Sequence, residues 1–207
     1  MNTATTINIT EQVSRISVVE RTTKETSIRV VLNLDGQGIC IPDTGLGFLD
    51  HMIDALVRHS GIDLEMTCKG DLQIDDHHTV EDCAIVLGSA ILEALGDKQG
   101  INRFGDGFAP MDESLCRCVL DFSGRPSAAV DLDFTRERLG DVSTENIVHF
   151  FETLATEARC ALHIDMIRGK NDHHKSEAAF KALAIALRNA ISIRPGAYGV
   201  PSTKGVL

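Results

Sequence analysis

One six-residue pattern, Asp-His-His-x-x-Glu, occurs twice in this chain, at residues 76–81 and 172–177. Each copy follows a polar turn (69–71 and 169–171) and opens a long apolar stretch with helical spacing. Each is also preceded by a helical segment carrying one more histidine, His51 and His149. Around these points the hydrophobic period repeats in the same order. Ile28, Val30, Leu32 and Leu34 alternate with Arg29, Val31 and Asn33, as do Cys116, Cys118, Leu120 and Phe122 with their neighbours, a strand-like period of two. Leu49, Met52, Ile53 and Leu56 have helical spacing and stop at Gly61, and Ile147, Phe150, Phe151 and Leu154 repeat that face. Alternating strands follow at 62–68 and 162–166. The sequence therefore predicts an α+β fold of two related β-β-α-β-α halves, residues 1–100 and 111–207, with the Gly-rich stretch 101–110 as their joint.

A lone histidine near a helix start is more often a cap or a core residue than a ligand, and a single HHxxE would carry little weight. Two copies at matching points of a duplicated order carry much more. Six of the eight histidines belong to the arrangement. Neutral imidazole with carboxylate suits a first-row divalent metal. Glu81 shares a helical face with either His77 or His78. Adjacent histidines on a helix diverge by about 100°, so each motif directs its two rings at different ions. The absence of thiolates from the set argues against a structural zinc site.

The formal net charge of −10 excludes nucleic acid as the main partner. A small anion is still compatible with it, because a few local cations can make a positive pocket. No apolar run reaches the length of a membrane span, and the first 15 residues lack the basic start and apolar block of a secretory leader. None of the six cysteines forms a C-x-x-C pair, which fits a reduced, cytoplasmic setting.

The segments GLGFLDHMIDALVRHSGIDL, GDLQIDDHHTVEDCAIVLGSAILEALGDKQGINRFG and ENIVHFFETLATEARCALHIDMIRGKNDHHKSEAAFKALAIALRNA resemble the imidazoleglycerol-phosphate dehydratases, as do ERTTKETSIRVVLNLDG and the closing PSTKGVL. The likeness runs from about residue 16 to 207, and FLDHM, DDHHTVED, INRFG and SGRP are specific to the family. It implies helices sandwiched between the sheets of the two halves. It also implies a single-function hydro-lyase of histidine biosynthesis that turns imidazole glycerol phosphate into imidazole acetol phosphate through a metal-bound imidazolate. Two Mn²⁺ ions per active site are implied, in a homo-oligomer of 24 subunits whose sites lie between subunits. The family's ligands fall on His51, His77, His78, Glu81, His149, His173, His174 and Glu177. Its substrate contacts fall on Glu25, His59, Arg103, Arg125, Lys181, Ser202, Thr203 and Lys204. Where the family reads NSHH this chain reads NDHH, so Asp172 is expected as an extra anion beside the metals.

The implied reaction breaks a C–H bond with no carbonyl beside it. An electron-rich imidazole ring can expel the hydroxyl from the carbon attached to it, after which the neighbouring C–H is acidic and a base can remove the proton. Two metals suit a ring with two nitrogens. Glu25, at a strand start, is the first candidate for proton transfer and Glu177 the second; Arg103, Arg125, Lys181, Ser202 and Lys204 suit a phosphate dianion. A dinuclear metallohydrolase is the alternative enzyme, although such sites are usually richer in carboxylate. A non-enzymatic reading, in which the histidines only cement subunits, leaves the cations without a purpose.

Overall fold

In a computed structural model of the protein, residues 14–196 and 199–205 are described. The reading of residues 1–13 as no leader, and the last two residues of PSTKGVL, lie outside the described residues.

The first half runs β1 (Ile16–Thr22), β2 (Thr26–Asn33), β3 (Cys40–Asp43), α1 (Gly47–Ser60), β4 (Asp63–Gly70) and α2 (His77–Leu95). The second runs β5 (Phe104–Met111), β6 (Ser114–Asp121), β7 (Ser127–Asp131), a short β8 (Arg138–Leu139) and β9 (Val142–Ser143), α3 (Thr144–Glu157), β10 (Ala161–Arg168) and α4 (Asp172–Ile191). The two four-stranded sheets have the same order, β1-β2-β4-β3 and β5-β6-β10-β7. Each ends on one parallel pairing, β3 with β4 and β7 with β10.

The halves expected from the sequence are present, each four-stranded sheet holds one strand more than β-β-α-β-α supplies, and the second half adds the short β8–β9 pair. In the first half the addition is β3, four residues long with Pro42 inside it. A proline cannot donate to a sheet ladder, so such a strand belongs at an edge, where β3 lies. In the second half it is β5, which occupies the stretch expected to be the joint. Its glycines are there for packing. A Cβ on Gly105 would lie 1.9 Å from the Ala186 carbonyl oxygen, and one on Gly107 would lie 2.4 Å from that of Ala182. The strand lets α4 lie directly on its backbone, and it alternates small with large residues instead of apolar with polar. Gly105→Ala is expected to cost about 1–3 kcal/mol through overpacking. Urea unfolding of the variant checks this.

Most of the apolar faces read from the sequence point inward, although Ala128 in the alternating stretch 128–134 is exposed. Ile28, Val30, Leu32, Cys116, Cys118 and Leu120 are buried on the inner faces of the sheets. The four helices fill the space between them. α2 covers β1 and β2, and α4 covers β5 and β6. Across the halves, α1 packs on α4 and α2 on α3. Phe150, Phe151 and Phe180 meet at the centre, with the Phe151 and Phe180 rings 4.6 Å apart. These cross-half contacts place the histidines. Among the described residues, no helix is long and apolar enough to cross a membrane.

Candidate metal centre

The first turns of α1 and α3 are each fixed by the other half. Asp141 accepts the N–H groups of Gly47 (2.7 Å) and Phe48 (3.1 Å) at the start of α1, where a carboxylate also suits the helix dipole. Asp76 accepts the N–H (2.7 Å) and hydroxyl (2.9 Å) of Ser143 and the amide N–H of Asn146 (2.9 Å) at the start of α3. His51 and His149, one turn further along, are thereby set against the motif of the opposite half.

Two triads result. His51 meets His173 and Glu177, and His149 meets His77 and Glu81; within each, one ligand atom per residue lies within 4.8 Å of the others. Glu177 Oε2 is 3.6 Å from Nε2 of both His51 and His173. Glu81 Oε1 is 2.9 Å from His149 Nε2, and its Oε2 is 4.0 Å from His77 Nε2. The His77 and His149 rings are stacked, with centroids 5.2 Å apart. Ligands on one ion at roughly 2.1 Å sit about 3 Å from each other, so small side-chain adjustments let each triad close on a divalent cation. Of the two partners open to each glutamate, it is the histidine four residues earlier that joins it.

The second histidine of each motif diverges as the helical angle predicts. His78 Nδ1 lies 3.0 Å from Asp71, and its Nε2 is 3.9 Å from Glu25. His174 Nδ1 lies 2.7 Å from Glu113 Oε2. These bonds raise both histidines above the usual imidazole range, Asp71 and Glu113 being the main causes. The same contact, first among its bonds, holds the Glu113 carboxyl well below the usual carboxylate range. His77 has its own orienting partner. Its Nδ1 is 3.0 Å from Asn146 Oδ1, and that amide is fixed in turn by donating to Asp76. The matching contact in the other triad is apolar, Phe48 lying edge-on to His173 at 5.3 Å.

Asp172 does not stand beside the ligands as an added anion. It is buried, accepts the N–H groups of Thr135 (2.8 Å) and Arg136 (2.7 Å), and pairs with Lys175 at 3.2 Å. Where Asp76 ties its motif to the other half, Asp172 ties its own to the segment between β7 and β8 of the same half.

The substrate residues form two groups. Lys181 pairs with Glu177 Oε1 at 2.6 Å. Burial raises the Glu177 carboxyl, but Lys181, His51 and His173 outweigh it and leave the group lowered. His59, at the end of α1, is lowered by partial burial and by the nearby charge of Lys181. The second group lies elsewhere. Arg103 donates twice to Asp121 (2.6 and 3.1 Å) and once to the Pro201 carbonyl (3.0 Å), tying down the tail that carries Ser202, Thr203 and Lys204. Arg125 follows β6 and is exposed, with one weak bond to the Ser123 carbonyl. Lys181 reaches Met111 at the far end of β5 from Arg103. At about 3.4 Å per residue the two groups are therefore on the order of 20 Å apart. The single phosphate cluster expected from the sequence is not assembled within one chain, because β5 separates its members. Glu25, in the turn just before β2, lies near His78 and belongs to neither triad. Asn146, Asp71 and Glu113 were missed by the motif reading. Aligning the two hairpin turns would have shown Glu113, which precedes β6 as Glu25 precedes β2.

The family model for imidazoleglycerol-phosphate dehydratase matches residues 44–187. The imidazoleglycerol-phosphate dehydratase of Candida glabrata is 53% identical over 210 residues, spanning 93% of this chain and 100% of its own. That of Saccharomyces cerevisiae is 51% identical over 215 residues, with 92% and 97% covered. The crystal structure of the Staphylococcus aureus enzyme superposes with a TM-score of 0.79 at 38% identity, covering 86% of this chain and 99% of that one. The Pyrococcus furiosus protein, in complex with (S)-C348, gives 0.76 at 39%, covering 91% and 100%. Duplicated motif, sheet order and curated relatives agree over nearly the whole length, and the chain belongs to the imidazoleglycerol-phosphate dehydratase family.

Proposed function

We propose that this chain removes water from imidazole glycerol phosphate to give imidazole acetol phosphate, a step of histidine biosynthesis, at a site built on two Mn²⁺ ions. The observation that carries the reading is the pair of His₂Glu triads, each within 4.8 Å and free of thiolate. Each triad offers three protein ligands. His78 and His174 face away from both, so they are placed to complete triads of neighbouring copies. The separation of Lys181 and His59 from Arg103, Arg125, Ser202 and Lys204 supports the same arrangement, in which neighbouring subunits together supply one phosphate site. The 24-subunit state implied by the family's motifs fits such sharing, and binding of metal would then couple to assembly. Five of the six cysteines are buried, Cys83 and Cys118 among them, as small core residues, which supports a reducing, cytoplasmic setting.

Ions held by the two triads would supply Lewis acids that orient the imidazole ring and make its N–H more acidic. The chain's residues do the rest. Arg125, Ser202 and Lys204 hold the phosphate, with Arg103 fixing the tail on which two of them lie. Glu177 is committed on both oxygens, to Lys181 and to the two imidazoles. Glu25 has an exposed carboxylate with no closer partner than His78, so proton transfer is assigned to Glu25.

Elemental analysis with an assay of water loss, before and after chelation, tests the whole reading. Bound manganese, and activity that chelation abolishes and manganese restores, is the expected result. Phosphate release without water loss would support the dinuclear hydrolase instead. Arg125→Ala is expected to raise KM for the phosphorylated substrate by about tenfold or more, the loss of a charge-assisted hydrogen bond of about 1.5–3 kcal/mol. Steady-state kinetics check this, and an unchanged KM removes Arg125 from the phosphate site.

A further inference from the structure

Glu113 lies outside the metal triads and outside the substrate contacts, in the tight turn between β5 and β6. Its carboxylate is shared between two tasks. Oε1 accepts the backbone N–H groups of Lys170 (3.0 Å) and Asn171 (2.8 Å), the turn that opens α4, together with the Ser114 hydroxyl (3.3 Å). Oε2 faces His174 Nδ1 at 2.7 Å. A carboxylate at this distance has no hydrogen to give, so the ring must donate from Nδ1. In the neutral ring Nε2 then carries the lone pair; it points away from Glu113, 3.8 Å from Asp112 Oδ2. Only that tautomer offers Nε2 to a metal. On the other half Asp71 does the same for His78, with both carboxylate oxygens within 3.2 Å of Nδ1.

We propose that Glu113 is a positioning residue for the metal centre: it fixes the tautomer and direction of His174 while anchoring the turn that starts the helix carrying it. The inference rests on the reading of His174 as a metal ligand. It also gives the two hairpin positions different tasks. Glu25, before β2, faces the Nε2 side of His78, whereas Glu113, before β6, grips the Nδ1 side of His174.

Glu113→Gln is a sharp test because geometry dictates how the amide must sit. The backbone N–H groups of Lys170 and Asn171 need an acceptor, so the amide oxygen stays with them. The amide NH₂ is then turned onto His174 Nδ1. It forces that nitrogen to accept and moves the ring proton to Nε2, the metal-facing atom. Binding of Mn²⁺, followed by equilibrium dialysis with elemental analysis, is expected to show the class of site served by His174 weakened about 10–100-fold. The other class should stay at its wild-type affinity, and the melting temperature of the metal-free protein should be unchanged. Glu113→Asp, which restores an acceptor, is expected to recover part of the loss. Full-affinity binding at both classes by Glu113→Gln overturns the proposal. His174→Ala is the control: if it too leaves metal binding intact, the ligand reading fails and this inference with it. If His174→Ala loses metal while Glu113→Gln does not, only the positioning role fails. Should Glu113→Gln not fold, ¹⁵N solid-state NMR of histidine-labelled, metal-free wild type reads the tautomer directly. With the ring neutral, a His174 protonated on Nδ1 is expected; a neutral ring protonated on Nε2 refutes the proposal.

Discussion

Glu25→Gln is expected to lower kcat by about 10²–10⁴-fold, the usual contribution of a general acid–base group, while metal content and thermal stability stay at wild-type values. The separation of effects follows from where Glu25 sits. Its side chain is about half exposed, at 53%, and its one local restraint is a backbone bond, its N–H donating to Thr23 Oγ1 at 3.1 Å. Nothing in the fold depends on its carboxylate. Neither triad uses it, and His78 already has Asp71 on its other ring nitrogen. The amide is the same size and keeps the turn, but it cannot take a proton. Rapid-quench kinetics with elemental analysis on the same sample check both halves of the expectation. Unchanged turnover would move proton transfer to another residue, and lost metal would show that Glu25 is a ligand.

Lys175→Ala is expected to destabilise the protein by about 3–5 kcal/mol, the cost of leaving one member of a buried ion pair without its partner. Lys175 lies inside the second motif, between His174 and Ser176, yet it is 2% exposed. Its ammonium donates to the Asp133 carbonyl and pairs with Asp172 at 3.2 Å. Burial raises the Asp172 carboxyl, but bonds from Thr135, Arg136 and Lys175 outweigh it and hold the group lowered. Removal of the lysine strands that carboxylate in the interior. The double variant Lys175→Met with Asp172→Asn removes both charges, and it should be less destabilised than Lys175→Met alone. Chemical unfolding of the three variants in one buffer measures the coupling.

The two histidine–glutamate clusters were legible because a duplicated pattern of histidines is improbable without a purpose, and because helical geometry says that neighbouring rings part company. Their grouping was not legible. That His51 joins His173 and not His77 follows from α1 lying on α4, a long-range packing choice that local spacing does not encode. β5 escaped notice because its inner face is Gly105, Gly107 and Ala109, residues selected for a close helix and poor in the β-branched signal of a strand. β3 was hidden by its length and by Pro42. Nothing in the sequence signals that Asp172 and Asp133 enclose Lys175. The cations can be read from the sequence as a charge complement to phosphate, but their distribution over two ends of a strand is a property of the sheet.

The exchange of ligands between halves has an evolutionary consequence. Each triad takes one histidine from a helix of one repeat and two residues from a helix of the other. A lone ancestral repeat would have owned every ligand type and still could not have gathered them. Only against a second repeat could it have formed a site. The two sites are not alike in their surroundings, with Asn146 beside His77 and Phe48 beside His173. A chain cut between Leu95 and Phe104 should accordingly rejoin its fragments most firmly when the cation is supplied.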